Sequence, residues 1–173
     1  MSLSIAVLGS SRTSEDNPDY QHAVAIGREI ARRGGRVVCG GGGGTMEAVC
    51  RGAAQASGRS LGILVGEGEP NRWVSETVRE PDLGARLRRL TQESAAAIFL
   101  PRGLGTMLEI AWMAESIAKG LAPTRPLVFL GLFWRRSVAL VVAEAVGPAA
   151  DALPPLIRFA RNPEEAVDEA YRA

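Results

Sequence analysis

The chain has 173 residues, a formal net charge of +1, 46% hydrophobic residues and 23% charged residues. This size and composition are typical of one soluble globular domain, here spanning 1–173, and the near-zero charge excludes a general affinity for nucleic acids or membranes. No apolar run reaches transmembrane length, so we expect a cytoplasmic protein. Two cysteines and one histidine, without metal-type spacing, predict no metal site.

Short apolar runs alternate with helical hydrophobic patterns along the whole chain. In chain order we predict a strand at 3–8, a helix at 20–33, a strand at 36–39, a helix at 45–56, a strand at 60–65, a short strand around 73–78, a helix at 83–93, a strand at 96–100, a helix at 107–119, a strand at 126–130, a helix at 133–146, a loop at 148–155 and a last helix after Asn162. This alternation predicts an α/β protein with a three-layer, Rossmann-like fold, in which helices cover both faces of a doubly wound parallel sheet.

Three glycine-rich turns directly follow predicted strands, namely Gly9-Ser10-Ser11, the five glycines at 40–44, and the turn that contains Gly103 and Gly105. The carboxyl ends of parallel strands meet at one edge of a sheet, and ligands bind there at the switch point in strand order. We therefore expect the three turns to lie close together around a ligand.

The third glycine turn connects a buried strand to a long helical pattern and reads Pro101-Arg102-Gly103-Leu104-Gly105-Thr106. The first N–H groups of a helix have no partners within it, and the helix dipole favours an anion there. Gly103 and Gly105 leave these donors uncovered, so we predict a phosphate site to which Thr106 adds a hydroxyl. Glu109 lies one turn further along the same face, where a carboxylate suits a sugar hydroxyl or a developing cation.

The five glycines at 40–44 are open to two interpretations. They are not a P-loop, because Thr45-Met46 stands where that motif has Lys-Ser/Thr. They are not a dinucleotide fingerprint, because that motif follows the first strand of a sheet and these follow the second. Either the glycines form a tight turn that lets a helix pack on the sheet, or they form a floor that a ligand approaches closely.

Several of these motifs together resemble the LOG-type phosphoribohydrolases, whose signature is PGGxGTxxE with an arginine on the preceding helix. The matching positions are Gly40-Gly41, Gly44-Thr45-Met46-Glu47, Gly52-Ala53, Gly62-Ile63 and Pro101-x-Gly103-x-Gly105-Thr106-x-x-Glu109, with Arg86 at the position of the arginine. The resemblance runs from about Ser4 to Leu130. It implies hydrolysis of the N-glycosidic bond of a nucleoside 5′-monophosphate, such as AMP or a cytokinin riboside monophosphate, without a metal or organic cofactor.

Carried over by position, the resemblance makes Arg86 and Glu109 the catalytic pair. We assign phosphate and nucleotide binding to Gly9, Ser10, Gly41, Gly42, Met46, Arg102, Gly103, Gly105 and Thr106. The chemistry agrees, because glycoside cleavage passes through an oxocarbenium-like state that a carboxylate near the ribose stabilises. Binding energy from the phosphate, which does not react, lowers the barrier at the distant bond.

Some features favour a second interpretation, in which the protein binds or carries a phosphorylated ligand such as molybdenum cofactor or a nucleotide without hydrolysing it. Arg102 occupies the second position of the signature, where the family has glycine, and it either adds a phosphate contact or fills the site. Leu87 stands where the family's enzymes have lysine after the catalytic arginine. The turn pattern GG-x-x-G-x-M-E is similar to that of molybdenum-cofactor carrier proteins.

The resemblance also implies a homodimer, and the predicted helix at 107–119 carries apolar residues, including Trp112 and Met113, over much of its surface. Such a helix is buried on two sides, against the sheet and against a partner subunit. Proteins of this family were often labelled lysine decarboxylases, but the single lysine, Lys119, shows no sign of the cofactor pocket that this chemistry requires.

Overall fold

The computed structural model describes residues 3–145 and 151–172. The strands are β1 (Ser4–Leu8), β2 (Arg36–Cys39), β3 (Arg59–Val65), β4 (Glu76–Glu80), β5 (Ala96–Phe99), β6 (Leu127–Leu130) and β7 (Ile157–Ala160). The helices with fully described bounds are α1 (Pro18–Arg32), α2 (Thr45–Gln55), α3 (Leu83–Gln92), α4 (Leu104–Ala118), α5 (Arg135–Ala143) and α6 (Pro163–Tyr171), with a 3-10 helix at Pro154–Leu156.

The strands form one parallel sheet in the order β4-β3-β2-β1-β5-β6-β7. The first four strands progress from β1 toward one edge, and the chain then crosses over β1 to add β5, β6 and β7 on its other side. The direction of progression therefore reverses between β1 and β5, so the carboxyl ends of these two strands flank the switch point of the sheet.

Alternation of side chains along the strands separates two apolar cores. Ile5 and Val7 of β1 pack with residues of α1, α2 and α6, whereas Ala6 and Leu8 pack with residues of α3, α4 and α5. A strand whose successive side chains are all buried is covered on both faces, as in doubly wound sheets. The three-layer α/β fold predicted from the sequence is confirmed.

The two helices that flank β2 in sequence, α1 and α2, cross in very close contact. A Cβ atom added at Gly27 of α1 would lie 2.0 Å from the carbonyl oxygen of Val49, and one added at Gly52 of α2 would lie 2.0 Å from the carbonyl oxygen of Val24. Each helix thus packs its backbone against a glycine of the other. This contact fixes α2, whose N-terminus reaches the switch point.

Two helices begin earlier than the sequence predicted. α1 begins at Pro18, because the side chain of Asn17 accepts a hydrogen bond of 2.9 Å from the N–H of Asp19 and proline fits the first helical position. α4 begins at Leu104, inside the predicted turn, with Gly103 as its N-cap. The phosphate turn is therefore already the first turn of the helix.

The predicted short strand around 73–78 is displaced, since β4 runs from Glu76 to Glu80. The residues before it are held in a turn, because the N–H of Trp73 donates to Oδ1 of Asn71 at 3.0 Å and the N–H of Val74 donates to the carbonyl oxygen of Asn71 at 3.3 Å. Strand pairing with β3 begins only after this turn.

One strand, β7, was absent from the prediction. Arg158 interrupts its four residues, so they give no apolar run, and Ala160 alone among them is buried. Nη1 of Arg158 donates to the carbonyl oxygens of Glu169 and Arg172, at 2.6 Å and 2.9 Å, which ties this edge strand to α6. Of the loop predicted at 148–155, positions 148–150 lie outside the described residues and 154–155 belong to the 3-10 helix. Position 146, the predicted end of α5, also lies outside them.

None of the helices in the described ranges has the length and apolar character needed to cross a membrane. Within 3–145 and 151–172, no group of three or more His, Cys, Asp or Glu side chains is arranged to hold a metal ion.

Candidate functional site

A cavity of about 550 Å³ opens at the switch point, beside the carboxyl ends of β1 and β5. Open parallel sheets bind their ligands at such points. The lining comes from the turns after β1, β2 and β5 and from α2, α3 and α4, and comprises Leu8, Gly9, Ser10, Ser11, Arg12, Gly40, Met46, Arg86, Gly103, Leu104, Gly105, Thr106 and Glu109.

The first turn of α4 lies at this cavity, and no side chain caps its N–H groups. Gly103, its N-cap, has a φ of 101° and no side-chain hydrogen bond to the helix, and a Cβ atom there would lie 2.9 Å from Oγ1 of Thr106. The Thr106 hydroxyl is buried and has no hydrogen-bond partner among the described residues. A Cβ at Gly105 would meet open space. The turn therefore presents unpaired N–H groups and a hydroxyl that suit an anion.

Arg86 of α3 and Glu109 of α4 meet in the same cavity. Nη1 of Arg86 donates to Oε1 of Glu109 at 3.4 Å, and Nε of Arg86 donates to the carbonyl oxygen of Ile63 at 2.9 Å. Only 16% of the Arg86 side chain and 8% of the Glu109 side chain are exposed. The end of β3 thus orients the guanidinium toward a carboxyl group that sits one helical turn beyond the phosphate turn.

The environment of Glu109 changes its acidity. Burial raises the pKa of this carboxyl to about 7, and the positive charge of Arg86 and its hydrogen bond partly oppose that rise. Near neutral pH the carboxyl therefore populates both its neutral and its ionised form. A group with this property can give up or accept a proton during a reaction, or stabilise a cation once it is ionised.

The turn after β1 forms the opposite wall and packs against the start of α2. The N–H of Thr45 donates to the carbonyl oxygen of Ser10 at 3.0 Å, and a Cβ atom at Gly9 would lie 2.8 Å from Oγ1 of Thr45. The absence of a side chain at Gly9 therefore permits this contact. Oγ of Ser10 accepts a hydrogen bond of 3.2 Å from the N–H of Arg12, which shapes the turn at the cavity wall.

Most residues that the sequence assigned to the site line this one cavity. They are Gly9, Ser10, Met46, Arg86, Gly103, Gly105, Thr106 and Glu109. Three others do not line it. Asn71 Nδ2 donates to the carbonyl oxygens of Gly41 and Gly42, at 3.0 Å each, so this part of the glycine run is bound to the segment between β3 and β4.

The third residue outside the cavity lining is Arg102. Its guanidinium donates to Oδ2 of Asp19 at 2.8 Å and lies 5.8 Å from the ring centroid of Phe133, and 61% of the side chain is exposed. The Arg102 side chain therefore does not fill the cavity, and its guanidinium points to Asp19 and Phe133 instead of the phosphate turn. Its backbone has a φ of 69°, in the left-handed region that favours glycine, which is the residue that the LOG signature has at this position.

The structure adds five lining residues that the sequence did not assign, namely Leu8, Ser11, Arg12, Gly40 and Leu104. Each lies within two residues of an assigned one in the sequence. Proximity in sequence was the available signal, but it did not distinguish Gly40 from the other glycines of its run.

A profile of the SLOG cluster4 family matches residues 2–123, which cover all of the strands and helices around the cavity. The chain belongs to the SLOG cluster4 family. This confirms the resemblance to LOG-like proteins at the level of the superfamily. An uncharacterised protein from Archaeoglobus fulgidus is 31% identical over 129 residues, which are 74% of this chain and 83% of that protein.

Solved structures similar to this SLOG protein include two molybdenum-cofactor proteins. The molybdenum cofactor binding protein from Rippkaea orientalis has a TM-score of 0.76 and 23% identity, covering 97% of this chain and 94% of that chain. The molybdenum cofactor carrier protein from Chlamydomonas reinhardtii has a TM-score of 0.78 and 23% identity, covering 97% and 95%. At this identity the likeness shows a shared fold.

Proposed function

We propose that this SLOG protein hydrolyses the N-glycosidic bond of a nucleoside 5′-monophosphate, such as AMP, to a free base and ribose 5-phosphate. The observation that supports this proposal best is the position of Glu109, a buried carboxyl paired with Arg86 in the same cavity as the uncapped α4 N-terminus. A protein that only held a phosphate would gain nothing from a carboxylate next to it.

In this proposal the 5′-phosphate binds the N–H groups of the α4 first turn and the Thr106 hydroxyl, and the ribose extends toward Glu109. As the bond from C1′ to the base breaks, positive charge develops on the ribose ring, and ionised Glu109 stabilises it. A water molecule then adds to C1′ and gives up one proton, and the departing base takes up one proton, so the reaction involves no net gain or loss of protons. Arg86 holds Glu109 in place and its cation favours the ionised carboxylate.

The test is incubation of the protein with AMP, GMP, CMP and UMP, followed by chromatography for the free base and for ribose 5-phosphate. We expect base and sugar phosphate in equal amounts from at least one nucleotide. The absence of base from all four nucleotides, together with stabilisation against heat by one of them, would contradict hydrolysis and leave ligand binding alone.

A binding or carrier function is the second candidate, and the two molybdenum-cofactor proteins of the same fold favour it. Leu87, at the position where LOG enzymes have lysine, is only 4% exposed, so no cation follows Arg86 into the site from this position. A carrier requires the phosphate turn but not the carboxyl of Glu109. The two functions therefore differ in whether the bound ligand survives prolonged incubation.

We also propose that the chain forms a homodimer through the outer face of α4. Met107 and Leu108 are 45% and 41% exposed, and Leu121 beyond the end of the helix is 78% exposed. Leu108 and Leu121 line a largely apolar groove of about 610 Å³ between α3 and α4, and Arg88 and Glu115 contribute opposite charges to its lining. A second copy related by a two-fold axis supplies both the apolar cover and the complementary charges.

Replacing Leu108 with glutamate is expected to convert the dimer to a monomer, because the interface would then bury an unpaired charge. Light scattering coupled to size-exclusion chromatography measures the mass directly. Leu140→Glu is the control, since Leu140 is 61% exposed on α5 and does not line the groove. A wild-type protein that elutes as a monomer at high concentration would rule out this interface.

A further inference from the structure

Gly40 directly follows β2 and is the first of the five consecutive glycines. Its φ is not positive, so its backbone conformation does not require glycine. The lack of space above the residue is what requires glycine. A Cβ atom at Gly40 would lie 1.9 Å from Nη2 of Arg86 and 2.6 Å from Sδ of Met46, far inside any real contact distance.

The position of the Arg86 guanidinium is restricted on three sides, by two hydrogen bonds and by the backbone of Gly40. Nε donates to the carbonyl oxygen of Ile63, Nη1 donates to Glu109, and Nη2 lies over the bare Cα of Gly40. If a side chain occupied that place, the guanidinium would have to move away from at least one of its two partners. Nη1 of Arg86 is already 3.4 Å from Oε1 of Glu109, so this hydrogen bond is the easier of the two to lose.

We propose that Gly40 is a positioning residue, whose missing side chain sets Arg86 in register with Glu109. Its effect on catalysis rests on the hydrolysis proposed above, whereas its effect on the Arg86–Glu109 pair does not. This gives one glycine of the run a function separate from turn formation and from ligand binding. It acts on the reaction only through Arg86.

The contacts around Gly40 also indicate that an alanine there leaves the fold intact. Both atoms in the way are near the ends of flexible side chains, which can move at small cost. At Gly44, by contrast, a Cβ would lie 2.5 Å from the carbonyl oxygen of Ser10, and the φ of 64° itself disfavours a side chain. Gly40→Ala therefore separates an effect on the site from an effect on folding.

The experiment compares Gly40→Ala with Gly43→Ala, a control in the same turn. At Gly43 the nearest atom to a Cβ, the carbonyl oxygen of Ser11, lies 3.7 Å away and φ is not positive. We expect kcat for base release from AMP to fall by about 10²-fold in Gly40→Ala, because misplacing a catalytic group by about 1 Å has effects of this size. Gly43→Ala is expected to retain wild-type activity.

Two readouts distinguish positioning from a general structural defect. The Arg86 cation lowers the pKa of Glu109, so displacing it moves the acid limb of the pH–rate profile to higher pH. In the Arg86→Ala background, Gly40→Ala is expected to cause little further loss, because its partner is already absent. Unchanged kcat and pH profile in Gly40→Ala, or additive losses in the double variant, would overturn the inference.

Titration of the Glu109 carboxyl by carbon NMR keeps this inference separable from the proposed reaction. The wild-type protein, Gly40→Ala and Glu109→Gln, which assigns the signal, are followed without any substrate. A higher titration midpoint of Glu109 in Gly40→Ala supports the positioning role even if no nucleotide is hydrolysed. The same midpoint in both proteins refutes it even if AMP is hydrolysed.

Discussion

Replacing Glu109 with glutamine is expected to slow base release from AMP by about 10³-fold. Glutamine keeps the size of the side chain and an oxygen that accepts the hydrogen bond from Arg86. It can neither carry a negative charge nor exchange a proton, so it stabilises a developing ribosyl cation poorly. The measurement is the initial rate at saturating AMP above pH 7, where wild-type Glu109 is mostly ionised.

Glu144→Gln is the control, because Glu144 is an exposed carboxylate at the end of α5 that lines neither the cavity nor the groove between α3 and α4. The pH dependence adds a second signature. Since burial raises the pKa of Glu109 to about 7, the wild-type rate is expected to rise as the pH passes through that value, and Glu109→Gln is expected to lack the rise. Equal rates in Glu109→Gln and wild type would eliminate Glu109 from the mechanism.

Gly52→Val is expected to lower the free energy of unfolding by at least about 3 kcal/mol, which corresponds to roughly 10 °C in Tm for a chain of this size. The added side chain would enter the contact between α1 and α2, where even a Cβ atom lies 2.0 Å from the carbonyl oxygen of Val24. Backbone atoms cannot move aside as a side-chain terminus does, so the two helices must separate.

The sign of this effect is opposite to the one that helix propensity predicts, because valine is a better helix former than glycine. Ala54→Val, on an exposed position of the same helix, is the control and is expected to lose only about 0.5 kcal/mol. Denaturation by urea, monitored by circular dichroism, measures both variants. A Gly52→Val protein as stable as Ala54→Val would show that the helices repack without cost.

The sequence predicted the layers of the fold because each buried strand is a short apolar run and each helix carries periodic apolar residues. It also predicted that the three glycine turns meet, since parallel strands end at one edge. It could not predict β7, where Arg158 interrupts the apolar pattern and the contacts that hold the strand come from α6.

Within the site, the sequence was least informative about which way side chains and carbonyl groups point. Arg102 turns toward Asp19, which is distant in sequence, and the carbonyl groups of Gly41 and Gly42 turn toward Asn71. Such choices depend on partners that only the folded chain brings near. Five identical glycines likewise give no indication that Gly40 alone faces the guanidinium of Arg86.

The central place of β1 in the sheet also affects how the chain is made. Ile5 pairs with Val37 of β2 on one side and with Ala96 of β5 on the other. One edge of β1 therefore has no partner until β5, much later in the sequence, has been synthesised. At ribosomal rates, about 5 to 20 s pass before that strand is synthesised. Throughout this time one edge of the largely apolar β1 has unpaired backbone N–H and C=O groups, which are a known route to aggregation. Chains that stop before β5 cannot close this edge, so we expect them to aggregate more readily than the full chain.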